Sequence, residues 1–260
     1  MSAARWGDDP FDLHDRVAVV TGGSRGIGLG IAAGLASAGA DVALWARDAD
    51  RAEAAAADLR ALGVRAIGLA CDVAEEDDVR GACAATIAEL GRIDICFANA
   101  GGGDGYDPLA VSLERWRQLL AVNLDGVFLT LREVARHMVE RGGGGKLVAI
   151  SSITEIFGAP KQAGYAASKG AIGGLVRSLA IEFARHDIQV NSIQPGWIET
   201  DATLPMREHE KLKATVLRRT PARRWGQPED LAGIAVYLAS AASNFHTGDT
   251  IRVDGGYSIV

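Results

Sequence analysis

Short apolar segments rich in β-branched residues alternate along this chain with longer segments of helical periodicity. Such apolar segments are typical of the strands of a parallel sheet, because both faces of that sheet are covered. Strands are predicted at residues 16–21, 41–46, 64–70, 93–98, 146–151, 188–193 and 250–253. Helices are predicted at residues 29–38, 49–62, 75–90, 112–141 and 163–185. The alternation predicts an α/β fold, a single-domain, doubly wound parallel sheet with helices on both faces.

One tract departs from this alternation. Residues 199–227 mix proline, methionine and charged residues without a clear period. That mixture is more typical of a mobile segment that covers a binding site than of a separate domain. We therefore expect residues 1–260 to form one domain, with a short N-terminal tail at 1–12 and a lid segment at 199–227.

The charge balance narrows the class of partner. The 260 residues include 27 lysines and arginines against 33 aspartates and glutamates, a net charge of −6, which argues against a nucleic-acid surface. No apolar run is long enough to span a membrane, and residues 1–12 lack the apolar core of a signal peptide. Cys71, Cys83 and Cys96 are widely spaced, so neither a metal site nor a disulfide is expected. A cytoplasmic protein without a membrane partner is the expectation.

A glycine-rich turn follows the first predicted strand. It spans residues 22–28, with the sequence GGSRGIG, and leads into the first predicted helix. A strand, a glycine turn and a helix N-terminus in this order present backbone N–H groups to a pyrophosphate. Gly22 would make the tight turn, Gly26 would admit the phosphates and Gly28 would let the helix pack on the strand. The spacing differs from G-x-G-x-x-G, so a plain structural turn is the alternative.

A tyrosine and a lysine stand at helical spacing later in the chain. Tyr165 and Lys169 lie four residues apart, on one face of a predicted helix, and Ser152 lies thirteen residues before the tyrosine. Because an ammonium group favours a nearby phenolate, we expect Lys169 to lower the pKa of Tyr165 toward working pH. A tyrosine tuned in this way can exchange a proton with a substrate oxygen. The alternative is an ordinary buried tyrosine beside an exposed lysine.

Together these motifs resemble the short-chain dehydrogenases/reductases, whose fold is a Rossmann-type doubly wound sheet. The resemblance runs from about residue 12 to the C-terminus. It rests on the residues Gly22, Gly26 and Gly28, Asn99-Ala100-Gly101, Asn123, Ser152, Tyr165 with Lys169, and Pro195-Gly196, which occur in the family's order and spacing. It implies an enzyme that transfers a hydride between a nicotinamide cofactor and a carbonyl or secondary alcohol.

The resemblance also implies a set of site residues. The implied catalytic residues are Asn123, Ser152, Tyr165 and Lys169. The implied cofactor contacts are Gly22, Ser24, Arg25, Gly26, Ile27, Gly28, Arg47, Asp72, Val73, Asn99, Ala100, Gly101, Tyr165, Lys169, Pro195, Gly196, Ile198 and Thr200. In reduction, Tyr165 would donate a proton to the substrate oxygen and Ser152 would hold that oxygen. Lys169 would bind the nicotinamide ribose, and Asn123 would anchor a water joining Lys169 to solvent.

The residues that follow the second strand bear on the choice between NAD and NADP. An aspartate there accepts hydrogen bonds from the adenosine ribose, whereas this chain has Arg47, with Asp48 one step later. Arg47 can meet a 2′-phosphate with a charge-assisted hydrogen bond, and Arg25 is similar to the second basic residue of NADP-dependent members. We expect NADP(H); ribose binding by Asp48, and hence NAD(H), is the alternative.

The sequence does not choose a single substrate. The expected pocket has Trp197 and Phe157 as apolar walls. Its polar groups are expected to be Glu155, Arg207, His209 and Lys211. The resemblance is greatest to 3-oxoacyl-carrier-protein reductases and to sugar-acid dehydrogenases such as gluconate 5-dehydrogenase. A nucleotide-binding protein without catalytic activity is the alternative of a different class.

Surplus apolar residues on the helices predicted at 112–141 and 163–185 suggest a subunit contact. The resemblance implies a homodimer, and commonly a homotetramer completed through the C-terminal strand. The tail 257–260 ends in apolar residues, which fits burial at such a contact. A monomer whose tail packs on its own subunit is the alternative.

Overall fold

The computed structural model describes residues 9–103 and 105–260. Residues 1–8 of the predicted N-terminal tail and Asp104 lie outside the described residues. No helix of the described part is long and apolar enough to cross a membrane.

The strands form one parallel sheet in the order β3-β2-β1-β4-β5-β6-β7. They are β1 (Val17–Thr21), β2 (Asp41–Ala46), β3 (Ala66–Ala70), β4 (Ile95–Ala98), β5 (Gly145–Ile150), β6 (Ile188–Pro195) and β7 (Thr250–Val253). The chain builds outward from β1 to β3 and then continues on the other side of β1 with β4. Doubly wound sheets bind ligands beside such a reversal, at the carboxyl ends of the strands.

Helices cover both faces of the sheet. Within residues 9–103 and 105–260 they are α1 (Gly26–Ser37), α2 (Ala49–Arg60), α3 (Glu76–Leu90), α4 (Leu113–Leu120), α5 (Gly126–Arg141), α6 (Ala163–Phe183), α7 (Leu204–Glu208), α8 (Glu210–Arg219) and α9 (Ala232–Ala239). Alternate residues of β1 serve opposite faces. Val17 and Val19 belong to the core under α3, α5 and α6, whereas Ala18 and Val20 belong to the core under α1, α2 and α9. The predicted fold class is confirmed.

The helix predicted at 112–141 contains an interruption. Between α4 and α5 the chain makes a π-helical turn at Ala121–Asp125. Such turns occur often at functional sites, and this one contains the fully buried Asn123. The Asn123 side chain accepts from the backbone nitrogen of Gly102 at 2.9 Å and donates to the Gly102 oxygen at 2.7 Å. The turn therefore serves to tie the loop after β4 to the helix.

The prediction of irregular structure at 199–227 was wrong. The segment contains α7 and α8, and its residues Val216 and Trp225 are buried. Pro205 is tolerated because it lies in the first turn of α7, where no intrahelical partner for its nitrogen is needed. His209 begins α8 by accepting from the backbone nitrogen of Leu212 at 3.3 Å. The mobility of this segment stays a prediction.

Helix α9 is a further element that the sequence analysis missed. Its residues, AGIAVYLA, are nearly all apolar, so they show no helical period. The helix packs closely against α1, since a Cβ added at Gly34 would lie 2.6 Å from the Cβ of Ala232. Contact with a neighbouring helix, and not periodicity, accounts for this element.

Candidate active site

The glycine turn has the geometry that a phosphate-binding loop needs. Gly22 and Gly26 have positive φ angles of 61° and 54°, a conformation that favours glycine. A Cβ at Gly28 would collide with the carbonyl oxygen of Gly22. Arg25 occupies the N-cap position of α1 without giving the helix a side-chain hydrogen bond. The first-turn N–H groups are thus left for an anionic ligand; Ser24 and Ile27, both half-buried, complete the turn.

Thr21 joins this turn to the end of β4. Its hydroxyl oxygen accepts from the backbone nitrogens of Asn99 at 3.0 Å and Ala100 at 2.9 Å. The Asn99 amide in turn donates to the Thr21 oxygen at 2.9 Å. Thr21 was not among the predicted site residues, although a lone hydroxyl ending an apolar strand was a usable signal. Gly101 follows, and a Cβ there would lie 2.7 Å from Oδ1 of Asn123.

Ser152, Tyr165 and Lys169 come together at the carboxyl end of β5. Ser152 begins the short turn after the strand and accepts from the Thr154 nitrogen at 3.2 Å. Tyr165 lies in the first turn of α6, and the Lys169 Nζ lies 5.8 Å from its ring centroid. That Nζ donates to the carbonyl oxygen of Ile150 at 2.7 Å. The structure thus confirms the predicted proximity of these residues.

The predicted pKa of Tyr165 is wrong for this arrangement. Burial raises the pKa of Tyr165, and the interaction with the Ser152 hydroxyl only partly offsets that rise. The Lys169 ammonium, 5.8 Å from the ring centroid and bonded to the Ile150 carbonyl, does not overcome this effect of burial. Burial also lowers the pKa of Lys169 to about 8. The same desolvation thus favours the neutral form of both groups.

A hydrogen-bonded chain that the sequence analysis missed connects this site with the C-terminal tail. We call it the Glu155 network: Ser151, Glu155, Gln194, Arg252 and Ser258. Oε2 of Glu155 accepts from the Ser151 hydroxyl at 2.6 Å and from the Gln194 amide at 3.0 Å. Arg252 donates to Gln194 at 2.8 Å and to the Ser258 hydroxyl at 2.8 Å. Ser151 is thus engaged in this network and holds the segment that carries Ser152.

The residues that bear on cofactor choice lie after β2. Asp48 caps α2, since its Oδ1 accepts from the backbone nitrogen of Arg51 at 3.0 Å. Arg47 is exposed, and Arg25 is exposed with Nη1 3.5 Å from Oδ2 of Asp201. Asp48 thus uses one of its two carboxylate oxygens in the cap, and the exposed Arg47 stands next to it. This arrangement favours a 2′-phosphate over a bare ribose.

The other predicted cofactor contacts lie along the same sheet edge. Asp72 follows β3 and accepts from the Ala74 nitrogen at 3.1 Å. Val73 is buried against α5. Pro195 ends β6, Gly196 packs against Asp254, and Ile198 is buried. Thr200 lies beside the glycine turn, because a Cβ at Gly26 would lie 3.2 Å from its methyl group.

Several predicted substrate-pocket groups are already engaged. Glu155 belongs to its network, Arg207 pairs with Glu199 at 2.9 Å, and His209 caps α8. Trp197 packs against Trp225, with ring centroids 5.2 Å apart. The polar groups expected from the sequence are therefore mostly structural in this arrangement.

Comparison with known proteins places the chain in a family. The family model described as enoyl-(acyl carrier protein) reductase matches residues 22–258. Gluconate 5-dehydrogenase from Gluconobacter oxydans is 39% identical over 251 residues, which cover 96% of this chain and 98% of that protein.

Solved structures agree with this result. A short-chain type dehydrogenase/reductase from Mycobacterium marinum is 39% identical, with a TM-score of 0.92 over 97% of this chain and 99% of that one. A gluconate 5-dehydrogenase from Burkholderia cenocepacia, in complex with NADP and tartrate, is 41% identical, with a TM-score of 0.93 over 97% and 98%. The shared sequence and fold span nearly the whole length, and the chain therefore belongs to the short-chain dehydrogenase/reductase family.

Proposed function

We propose that the protein is an NADP(H)-dependent oxidoreductase that interconverts a ketone and a secondary alcohol on a sugar acid of the gluconate type. The observation that carries the reaction class is the assembly of Ser152, Tyr165 and Lys169 at the sheet edge that also carries the glycine turn. The relatives named gluconate 5-dehydrogenase, similar over nearly the whole chain, support the substrate class.

The residues present fit a dinucleotide with a 2′-phosphate. The glycine turn offers free N–H groups, Arg47 and Arg25 offer positive charge, and Asp48 is engaged in a helix cap. When bound, the nicotinamide supplies or accepts the hydride. Ile198 and Thr200 would hold its carboxamide side, and Lys169 its ribose.

The remaining chemistry belongs to the protein. In reduction Tyr165 donates its proton to the substrate oxygen, and Ser152 donates a hydrogen bond that holds this oxygen in place. Lys169 supplies positive charge over the Tyr165 ring. Asn123 acts through Gly102, whose loop also carries Gly103, and a Cβ there would lie 2.8 Å from the Tyr165 ring. Asn123 therefore helps to fix the wall of the site against the tyrosine.

A substrate screen tests this function. NADPH oxidation is measured with 5-keto-D-gluconate, with β-ketoacyl thioesters and with neutral bulky ketones in separate assays. We expect the highest kcat/KM with the sugar acid. A preference for thioesters would favour the carrier-protein reductase alternative instead. NADPH binding without turnover of any of these substrates would support the alternative of a nucleotide-binding protein without catalytic activity.

A further inference from the structure

The guanidinium group of Arg219 is clamped between two aromatic rings. Arg219 ends α8, and its Cζ lies 4.5 Å from the ring centroid of Phe157 and 4.3 Å from that of Tyr257. Its Nε donates to the backbone oxygen of Tyr257 at 3.2 Å. Stacking restricts the plane of the group, and the Nε bond restricts its rotation within that plane. The side chain is thus held in one orientation before any ligand binds.

The outer edge of this guanidinium is free. Within residues 9–103 and 105–260, the terminal nitrogens Nη1 and Nη2 of Arg219 have neither a hydrogen-bond acceptor nor an ion-pair partner. Two parallel N–H groups on a fixed plane match the two oxygens of a carboxylate. Burial of part of the guanidinium by the rings strengthens such a charge-assisted contact relative to one in open water.

The clamp lies on the same sheet edge as the reaction site. Phe157 comes five residues after Ser152, beyond β5, and Tyr257 comes four residues after β7. Trp197, just beyond β6, packs against Tyr257 with centroids 6.2 Å apart. These three strands are neighbours in the sheet, so Arg219 stands above their carboxyl ends, together with Ser152.

A second donor without an acceptor lies in the same cluster. The indole nitrogen of Trp197 is buried and has no hydrogen-bond partner among the described residues. A buried donor without a partner costs free energy, and an oxygen acceptor on a ligand that entered this cluster would recover it; the indole nitrogen of Trp225, which packs against Trp197, is in the same state. A guanidinium edge and an indole N–H suit a ligand with a carboxylate and hydroxyl oxygens.

We infer that Arg219 binds the substrate carboxylate and makes the enzyme select acidic over neutral ketones. The inference rests on the proposed function, since it assigns a residue to recognition of the sugar acid. Arg219 is a binding residue and takes no part in proton or hydride transfer. It acts on the free energy of substrate binding, so its loss should appear in KM more than in kcat.

The test compares Arg219→Met with Arg219→Lys and with the control Arg218→Met, which removes an exposed arginine of the same helix. Methionine keeps an apolar stem between the rings but removes the charge. Lysine keeps the charge but lacks the two parallel N–H groups of the guanidinium. For 5-keto-D-gluconate we expect KM to rise on the order of tenfold to a hundredfold with methionine and less with lysine. For the uncharged methyl ester of this acid, kcat/KM should stay within about twofold of wild type.

Equal losses on acid and ester would overturn the assignment, as would equal effects of Arg218→Met. The Kd for NADPH and the melting temperature of each variant check that the fold is intact. Should Arg219→Met not fold, the acid-to-ester ratio of Arg219→Lys decides by the same criterion.

Calorimetric titration with gluconate and with tartrate, at saturating NADP⁺, separates this inference from the proposed function. If wild type turns over the sugar acid and Arg219→Met keeps the wild-type KM, the inference fails and the proposed function stands. If wild type turns over no sugar acid, the proposed function fails. The inference then survives only if either anion binds wild type and binds Arg219→Met at least tenfold more weakly.

Discussion

Desolvation controls the charge of Tyr165 and Lys169, which lie one turn apart on the same face of α6. Burial raises the pKa of Tyr165 and lowers that of Lys169 to about 8. A tyrosine in this state keeps its proton throughout the neutral range. It is therefore prepared to act as an acid, which matches the reductive direction of the proposed reaction.

Replacement of Tyr165 by phenylalanine tests that role. The change removes the transferable proton and keeps the ring, so kcat for reduction should fall by about 10²-fold to 10⁴-fold. The Kd for NADPH, measured by fluorescence titration, should stay near wild type. Tyr237→Phe is the matched control, because this hydroxyl bonds His246 before β7, at the opposite sheet edge. Retention of more than about a tenth of wild-type activity would exclude Tyr165 as the acid.

The pKa of Lys169 predicts a pH dependence. The ammonium form is present below about pH 8 and is lost as the pH rises through that value. Since Lys169 contributes as a cation, kcat for reduction should be level below pH 8 and decline above it. Lys146 is a useful control, because burial lowers its pKa to about 8 as well but its Nζ bonds Ser243 and Asn244, away from the site. A pH–rate profile whose decline disappears in Lys146→Gln would contradict the assignment to Lys169.

We expect Arg47 to decide the choice between NADPH and NADH. Arg47→Ala should weaken NADPH binding by about 1.5–3 kcal/mol, the scale of a hydrogen bond to a charged group, and should leave NADH binding nearly unchanged. Arg51→Ala removes another exposed arginine nearby and serves as the control. Equal losses for both cofactors, or a wild type that prefers NADH, would refute the 2′-phosphate role.

At the scale of elements, the Glu155 network joins the segment after β5 to β6, β7 and the tail. Both of its bonds to Glu155 fall on one oxygen, Oε2. Glu155→Gln can place its amide oxygen there and keep both bonds, whereas Glu155→Met keeps neither. Gln194 is only 2% exposed, so the methionine variant leaves its amide without an acceptor.

We therefore expect the two substitutions of Glu155 to differ. Glu155→Met should lower the free energy of unfolding by about 1–3 kcal/mol and reduce kcat, because the segment carrying Ser152 loses its support. Glu155→Gln should stay close to wild type in both. Urea unfolding and steady-state kinetics measure the two effects. If the variants behave alike, the network does not position Ser152.

At the scale of the whole molecule, several apolar side chains of the single chain face solvent. Ile181 on α6 is 82% exposed, and Ile259 and Val260 in the tail are 79% and 72% exposed. Tyr257, in contrast, packs within its own subunit against Phe157. The tail therefore has two parts. Tyr257 packs within its own subunit, whereas Ile259 and Val260 are available for contact with another copy of the chain. We propose that the assembly is a homotetramer.

Light scattering over a dilution series tests this proposal. We expect a tetramer mass that is stable at micromolar concentration, and deletion of Ile259 and Val260 should shift it toward dimers. This deletion spares the Tyr257 clamp on Arg219, so catalytic activity at high protein concentration is the check on folding. A monomer mass for the full chain would refute the oligomer, and an unchanged tetramer in the truncated chain would exclude a role for these two residues.

Local sequence determined the strands, the glycine turn and the pairing of Tyr165 with Lys169, whereas Ser152 was assigned to the site through the family resemblance. These features follow from apolar runs, from glycines at positive φ and from helical spacing, all of which act between near neighbours in the chain. The cores on both sides of the sheet follow from the same apolar runs.

Only the tertiary structure decided the charge state of Tyr165, the engagement of Asp48 and Glu155, and the clamp on Arg219. Desolvation depends on everything packed around a group, and the partners of Glu155 and Arg219 include residues 39 and 38 positions away. The helices of the lid segment likewise depend on caps and on the burial of Val216 and Trp225. No pattern within a short stretch of sequence encodes such contacts, because they exist only once distant segments have packed together.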